Sequence, residues 1–217
     1  MHKVYIYKVF ERFWHWSQAS LIIFLAITGF EVHGSYSIFG FEKAAAYHRT
    51  ASWMLIGLLI FAIFWHLTTG EWKQYIPTSK KLKEQILYYV SGIFKGEPHP
   101  TEKSELSKLN PIQRVVYLSF KVILVPLTIT SGILYMLYKT FDQNNLIVIE
   151  DYPLASIAFW HVLGAILLMI FMVVHVYMTT TGKTPTSNIK AMLTGYEEIE
   201  DEPEDESDKM NSNQTQS

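Results

Sequence analysis

The stretch LASIAFWHVLGAILLMIFMVVHVYM, Leu154 to Met178, holds two histidines, His161 and His175, in a run with no Asp, Glu, Lys or Arg. About 20 such residues suffice to cross the hydrocarbon core of a bilayer as a helix. An ionisable side chain at that depth is costly, so it is by default a candidate functional residue. The two histidines stand fourteen positions apart. That is nearly four helical turns, so both imidazoles point to almost the same face, roughly 21 Å apart along the axis.

Three further apolar blocks occur earlier in the chain. With the first stretch they place spans near residues 14–32, 50–69, 115–138 and 154–178. The expected fold is all-α: an integral membrane four-helix bundle forming one domain over residues 1–195. The first block lacks a small-residue cleavage site and is long enough to remain as a helix rather than be removed as a secretory signal. Residues 70–113 form the long loop. Within it, residues 82–94 read as an amphipathic segment on the membrane surface or packed on the protein. Residues 196–217 are acidic and then polar, the composition of a disordered tail.

Lysine and arginine set the orientation. Lys3, Lys8 and Arg12 precede the first span, and Lys73, Lys80, Lys81, Lys83, Lys95, Lys103, Lys108 and Arg114 lie between the second and third. The other two connections hold few basic residues. The positive-inside rule therefore puts both termini and the long loop in the cytoplasm. The net charge of −2 says little. The absence of cysteine excludes disulfides, thiolate-ligated iron–sulfur clusters and covalent c-type haem. No phosphate-binding loop, metalloprotease motif or nucleic-acid signature is present.

Orientation assigns each histidine a depth. His15 lies at the cytoplasmic end of the first helix and His48 at the outer end of the second; His161 is outer and His175 inner. Depth pairs His15 with His175 and His48 with His161. Two bis-histidine sites at two depths suit two non-covalent b-type haems. An iron held by two imidazoles has no open position, so it carries electrons rather than performing group chemistry. Taken singly, His15 and His48 read equally well as hydrogen-bonding or interfacial residues. Gly29, Gly57, Gly132 and Gly164 fall inside helices, where they admit either a flat macrocycle or a neighbouring helix.

Arg12-Phe13-Trp14-His15-Trp16, followed by Thr28-Gly29-Phe30, resembles the first helix of the bacterial di-haem membrane cytochromes b. That superfamily includes the cytochrome b subunits of nickel–iron hydrogenase and thiosulfate reductase and the gamma subunit of formate dehydrogenase. The position of His48 and the His161–His175 spacing fit the same pattern. Lys108-Leu109-Asn110-Pro111-Ile112-Gln113-Arg114 resembles a loop of the formate dehydrogenase member that contributes to its quinone pocket. Phe64 to Trp72 resembles the thiosulfate reductase-like branch. The likeness runs over roughly residues 8 to 195.

The resemblance implies a multi-pass subunit of the bacterial inner membrane. It would anchor an outer-side redox partner (a multihaem cytochrome, or an iron–sulfur, molybdenum or nickel enzyme) and exchange electrons with menaquinone or ubiquinone in a respiratory complex. Carried over by position, His48 and His161 would ligate the outer haem iron, and His15 and His175 the inner one. Arg12 and Arg49 are candidates for pairing with haem propionates, or are ordinary interfacial arginines. Asn110 and Gln113 are quinone-site candidates, although Asn110 before Pro111 also makes a standard helix start.

His66 departs from the pattern. It follows His48 by eighteen residues, on the same face and about 6 Å deeper toward the cytoplasm than a residue level with His175. It reads as a proton-handling group at a quinone site, as an interfacial residue beside Trp65 and Trp72, or as a replacement for His15. His33, His99 and His2 fit no site. A metal or proton transporter using intramembrane histidines is the alternative function. Transporters usually place carboxylates near the midplane, and here the spans hold almost none; Lys121 is the basic residue set into the third.

Overall fold

A computed structural model describes residues 2–79, 81–97, 108–143, 153–182 and 184–199. His99 and the tail from residue 200 onward lie outside the described residues. Four helices are long and apolar enough to cross a membrane: Val9–Val32, Phe41–Thr69, Pro111–Tyr138 and Leu154–Thr179. The first is α1 and the second α2. The third joins α5 (Pro111–Ser119) through a π-helical turn (Phe120–Leu124) to α6 (Val125–Gln143), and the fourth is α7. Large apolar side chains such as Ile60, Phe64, Ile123, Ile170 and Val173 cover the outside of the four helices, as lipid-facing helices require.

Each helix extends beyond its apolar block. Hydropathy marks the hydrocarbon-embedded part, whereas hydrogen bonding carries the helix on through polar turns. Thus α2 begins at Phe41 rather than near residue 50, and His48 is well inside it. Glu31 makes the early start possible. Its carboxylate is buried and accepts the backbone N–H groups of Ile38, Phe39 and Gly40 at 2.8, 2.7 and 2.7 Å. The negative charge thereby closes the outer loop and caps the positive end of α2. Gly70, at φ 76°, ends α2 in the left-handed conformation that glycine adopts without strain.

Two hairpins result. α1 packs along α2, and α6 packs along α7. Gly164 meets Thr128 closely, since a Cβ there would come 2.5 Å from the threonine hydroxyl, and Phe120 stacks on Phe171 at 4.3 Å. The two hairpins come together chiefly at the end that carries the N-terminus. There Lys108 is buried, binding Glu11 at 2.8 and 2.9 Å and Glu71 at 3.2 Å, while Lys8 binds Glu71 at 2.6 Å. Burial alone would raise the Glu71 carboxyl, but the Lys8 hydrogen bond and the Lys108 charge outweigh it and hold the group below its ordinary value.

The segment expected to be amphipathic is helical: α3 (Leu82–Leu87), a π-helical turn (Tyr88–Gly92) and α4 (Ile93–Lys95). Ile86, Leu87, Val90 and Phe94 are exposed while Gln85 is fully buried. It therefore packs on the protein by one edge and leaves an apolar face outward. Residues 196–199, expected as the start of the tail, are ordered. Residues Tyr196–Ile199 form β2, which pairs antiparallel with β1 (His2–Tyr5), Tyr5 opposite Tyr196. Alternating side chains and the Tyr5 and Tyr196 rings, in tilted contact 5.1 Å apart, explain why an acidic stretch is ordered here. α8 (Ser187–Thr194) precedes β2. The ribbon places both ends of the described chain on one side.

Candidate functional site

All four ligand candidates meet in pairs across the two hairpins. His48 of α2 faces His161 of α7 with ring centroids 6.2 Å apart, and His15 of α1 faces His175 of α7 at 6.1 Å. One pair lies toward each end of α7. Among the described residues no three His, Cys, Asp or Glu side chains gather as a bare metal site would need. The arrangement is two-by-two.

Hydrogen bonds at the other ring nitrogen select the tautomer of the His48–His161 pair, the one expected on the outer side. The Thr28 hydroxyl donates to Phe24 O at 2.9 Å, which leaves its oxygen to accept from His48 Nδ1 at 3.1 Å. His161 Nδ1 donates to Thr128 O at 3.1 Å. Both rings therefore carry their proton on Nδ1 and turn the Nε2 lone pair inward, the form a metal ion binds. Glycines admit the rings. A Cβ on Gly29 would come 3.1 Å from His48, and one on Gly132 would come 2.9 Å from His161. Gly57, the third glycine read as a point of close approach, faces open space.

The inner pair is held differently. His175 stacks parallel to Phe171 and has Tyr117 OH 3.3 Å from its Nδ1. His15 Nδ1 is buried without a partner among the described residues. Two imidazoles on one iron, at metal–nitrogen distances of about 2 Å, stand roughly 6 Å apart between centroids. The two pairs match that span, and their apolar surroundings, with the tautomers and glycine cradles of the His48–His161 pair, fit a b-type haem.

Beside the inner pair opens a cleft of about 300 Å³, lined by residues that include Tyr89, Gln113, Val116, Tyr117, Phe171 and His175. Gln113 thus reaches the cleft. Asn110 sits behind it: its side chain accepts from Gln113 N at 2.8 Å, Gln113 Oε1 accepts from Asn110 N at 3.0 Å, and Asn110 Nδ2 donates to Tyr89 OH at 3.1 Å. This reciprocal cap starts the third span. Burial raises the Tyr89 phenol, so it stays a neutral hydrogen-bonding group at the cleft wall.

The remaining candidates sit elsewhere. His66 lies away from the cleft, donating from Nδ1 to Ala62 O at 2.7 Å with Tyr75 OH 3.4 Å from Nε2. Burial raises the Tyr75 phenol as well. Arg12 donates to Leu193 O at 2.7 Å, and Trp16 to Met192 O at 3.2 Å, so both pin α8 onto α1. The Arg12 Nε is buried and has no partner among the described residues. Arg49 is exposed beside His48.

Sequence reading overlooked Thr28, Thr128, Tyr117 and Tyr89. Tyr117 had a legible signal: it lies four residues after Gln113, on the same helical face. Thr128 acts through its backbone carbonyl, which no sequence pattern announces.

The chain is 27% identical over 206 residues, 89% of its length and 74% of the relative's, to "Putative cytochrome YdhU" of Escherichia coli (strain K12). No solved structure matches it. The family model for prokaryotic cytochrome b561 matches residues 6–195. The chain therefore belongs to the prokaryotic cytochrome b561 family: it is a multi-pass membrane cytochrome b that binds b-type haem and acts in electron transfer.

Proposed function

We propose that this cytochrome is the di-haem membrane subunit of a respiratory complex of the bacterial inner membrane, moving electrons between an outer-side redox partner and menaquinone or ubiquinone. The observation that carries the reading is the two facing histidine pairs, at 6.1 and 6.2 Å, near opposite ends of one helix. His48 and His161 hold the outer haem, and His15 and His175 the inner one. Each haem, when bound, supplies reversible one-electron transfer with no open coordination position.

The chain's own residues do the rest. Thr28, Thr128 and Tyr117 orient the imidazoles and fix which nitrogen faces the iron. Phe120 and Phe171 keep water from the inner pair. The cleft beside His175 suits a flat apolar ring with polar ends: Val116 and Phe171 offer apolar contact, and Gln113, Tyr89 and Tyr117 offer hydrogen bonds to a quinone carbonyl. The Asn110–Gln113 cap holds that wall in place. The basic cytoplasmic segments support placing this cleft on the inner side.

The test is a visible spectrum of the purified, dithionite-reduced protein with a pyridine haemochrome count. Sharp b-type α and Soret bands at two haems per chain are expected. One haem per chain, or a colourless zinc-binding protein, overturns the reading.

A further inference from the structure

Lys121 has no part in the sites described above. It lies in the π-helical turn of the third span, an irregularity that costs a regular helical bond and recurs where a helix carries function. Its Nζ is 3.3 Å from the Tyr75 ring centroid and 5.2 Å from that of Trp14. Among the described residues no carboxylate pairs with it. The nearby acids Glu11 and Glu71 are already taken by Lys108 and Lys8. Two aromatic faces soften the cost of an ammonium within the membrane but do not neutralise its charge.

A second observation points the same way. Among the described residues, Trp14 Nε1 is buried with no hydrogen-bond acceptor, and the amide oxygen of Gln18, one turn further along α1, is buried with no donor. A flipped Gln18 amide would present N–H groups instead. His66, edge-on to Trp14 at 5.3 Å, is already engaged with Ala62 and Tyr75. What is left is an ammonium and an indole N–H, each on an element that also carries a residue of the inner pair: Trp14 directly precedes His15, and Tyr117, one turn before Lys121, lies 3.3 Å from His175 Nδ1. Both are donors, and together they call for an anion.

We propose that Lys121 and the Trp14 indole N–H bind the carboxylate groups of the porphyrin held by His15 and His175. The inference rests on the di-haem reading. A cation beside the macrocycle favours the reduced iron, whose charge is lower, and so raises the potential of the inner haem alone.

The experiment is a redox titration of the purified full chain, followed in the visible range, with haem counts. It compares wild type with Lys121→Met, Lys121→Arg, His15→Ala and the exposed outer-side Lys43→Met. Lys121→Met is expected to lower the midpoint of one haem and to speed release of that haem to apomyoglobin. Lys121→Arg is expected to restore most of both, and Lys43→Met to change neither. Wild-type midpoints and haem content in Lys121→Met, while His15→Ala loses one haem, overturn the proposal but leave the ligand assignment standing. Equal loss of both haems in the Met and Arg variants also overturns it. If His15→Ala keeps both haems, the ligand assignment fails and the proposal falls with it.

Discussion

His15 and His175, 160 positions apart in the chain, meet ring to ring at 6.1 Å. The contact bridges the first and fourth spanning helices, which otherwise hardly touch along their lengths. A polar pair in that place has little structural use of its own. It gains one if something binds between the rings.

Single ligand substitutions should therefore separate the two centres. His161→Ala should lose the outer haem and keep the inner; His175→Ala should do the reverse. Haem per chain falls from two to one in each, read by pyridine haemochrome. Retention of both haems in either variant would falsify the ligand assignment.

Tyr117→Phe removes the hydroxyl 3.3 Å from His175 Nδ1 and keeps the ring. Loss of such a partner typically costs 10–100-fold in metal affinity, so about a tenfold faster release of the inner haem is expected, with the outer unchanged. Stopped-flow transfer to apomyoglobin reads both phases.

Filling the cleft tests the quinone site without touching a ligand. Val116→Trp, on the cleft wall, should cut haem reduction by a quinol analogue at least about tenfold, the scale of a few lost contacts. Haem content and dithionite spectra should stay as in wild type. Unchanged quinol kinetics would move the site elsewhere.

Glu71 makes stability depend on pH. Its folded value is held below the unfolded one, so its contribution is complete above the unfolded carboxyl value of about 4.3. It is lost as pH falls through the lower folded value. The melting-temperature gap between wild type and Glu71→Gln should be constant near neutrality and close in acid. A gap that widens on acidification would reverse the sign of the argument.

Glu31→Ala removes a carboxylate that accepts three backbone N–H groups. Bonds to a charged group contribute about 1.5–3 kcal/mol each, not additively, so a loss of roughly 3 kcal/mol is expected. Hydrogen exchange should quicken at Ile38, Phe39 and Gly40 while the mid-membrane amides stay protected. Unaltered exchange at those three amides would remove Glu31 from its capping role.

Much of this protein was decided locally and so was legible in the chain. Four apolar runs set four spans, because burying backbone polar groups in lipid leaves a helix as the economical solution. The fourteen-residue spacing of His161 and His175 set two depths on one face, because helical rise and twist are constant. Asn110-Pro111 marked a helix start, and the reciprocal bonds with Gln113 are there.

The rest depended on which surfaces meet. The Thr28, Thr128 and Tyr117 contacts that orient the imidazoles, the cleft beside His175, and the Lys121 ammonium over Tyr75 and Trp14 each join residues of different elements. Glu31, at the end of the first apolar block, is a buried cap. Tyr196 to Ile199 looked like the start of a loose tail and is a strand, because the N-terminal residues lie alongside to pair with it. Composition and periodicity report what a segment does alone. Hydrogen-bond partners, ring contacts and clefts belong to the packing of helix on helix, within each hairpin and between the two.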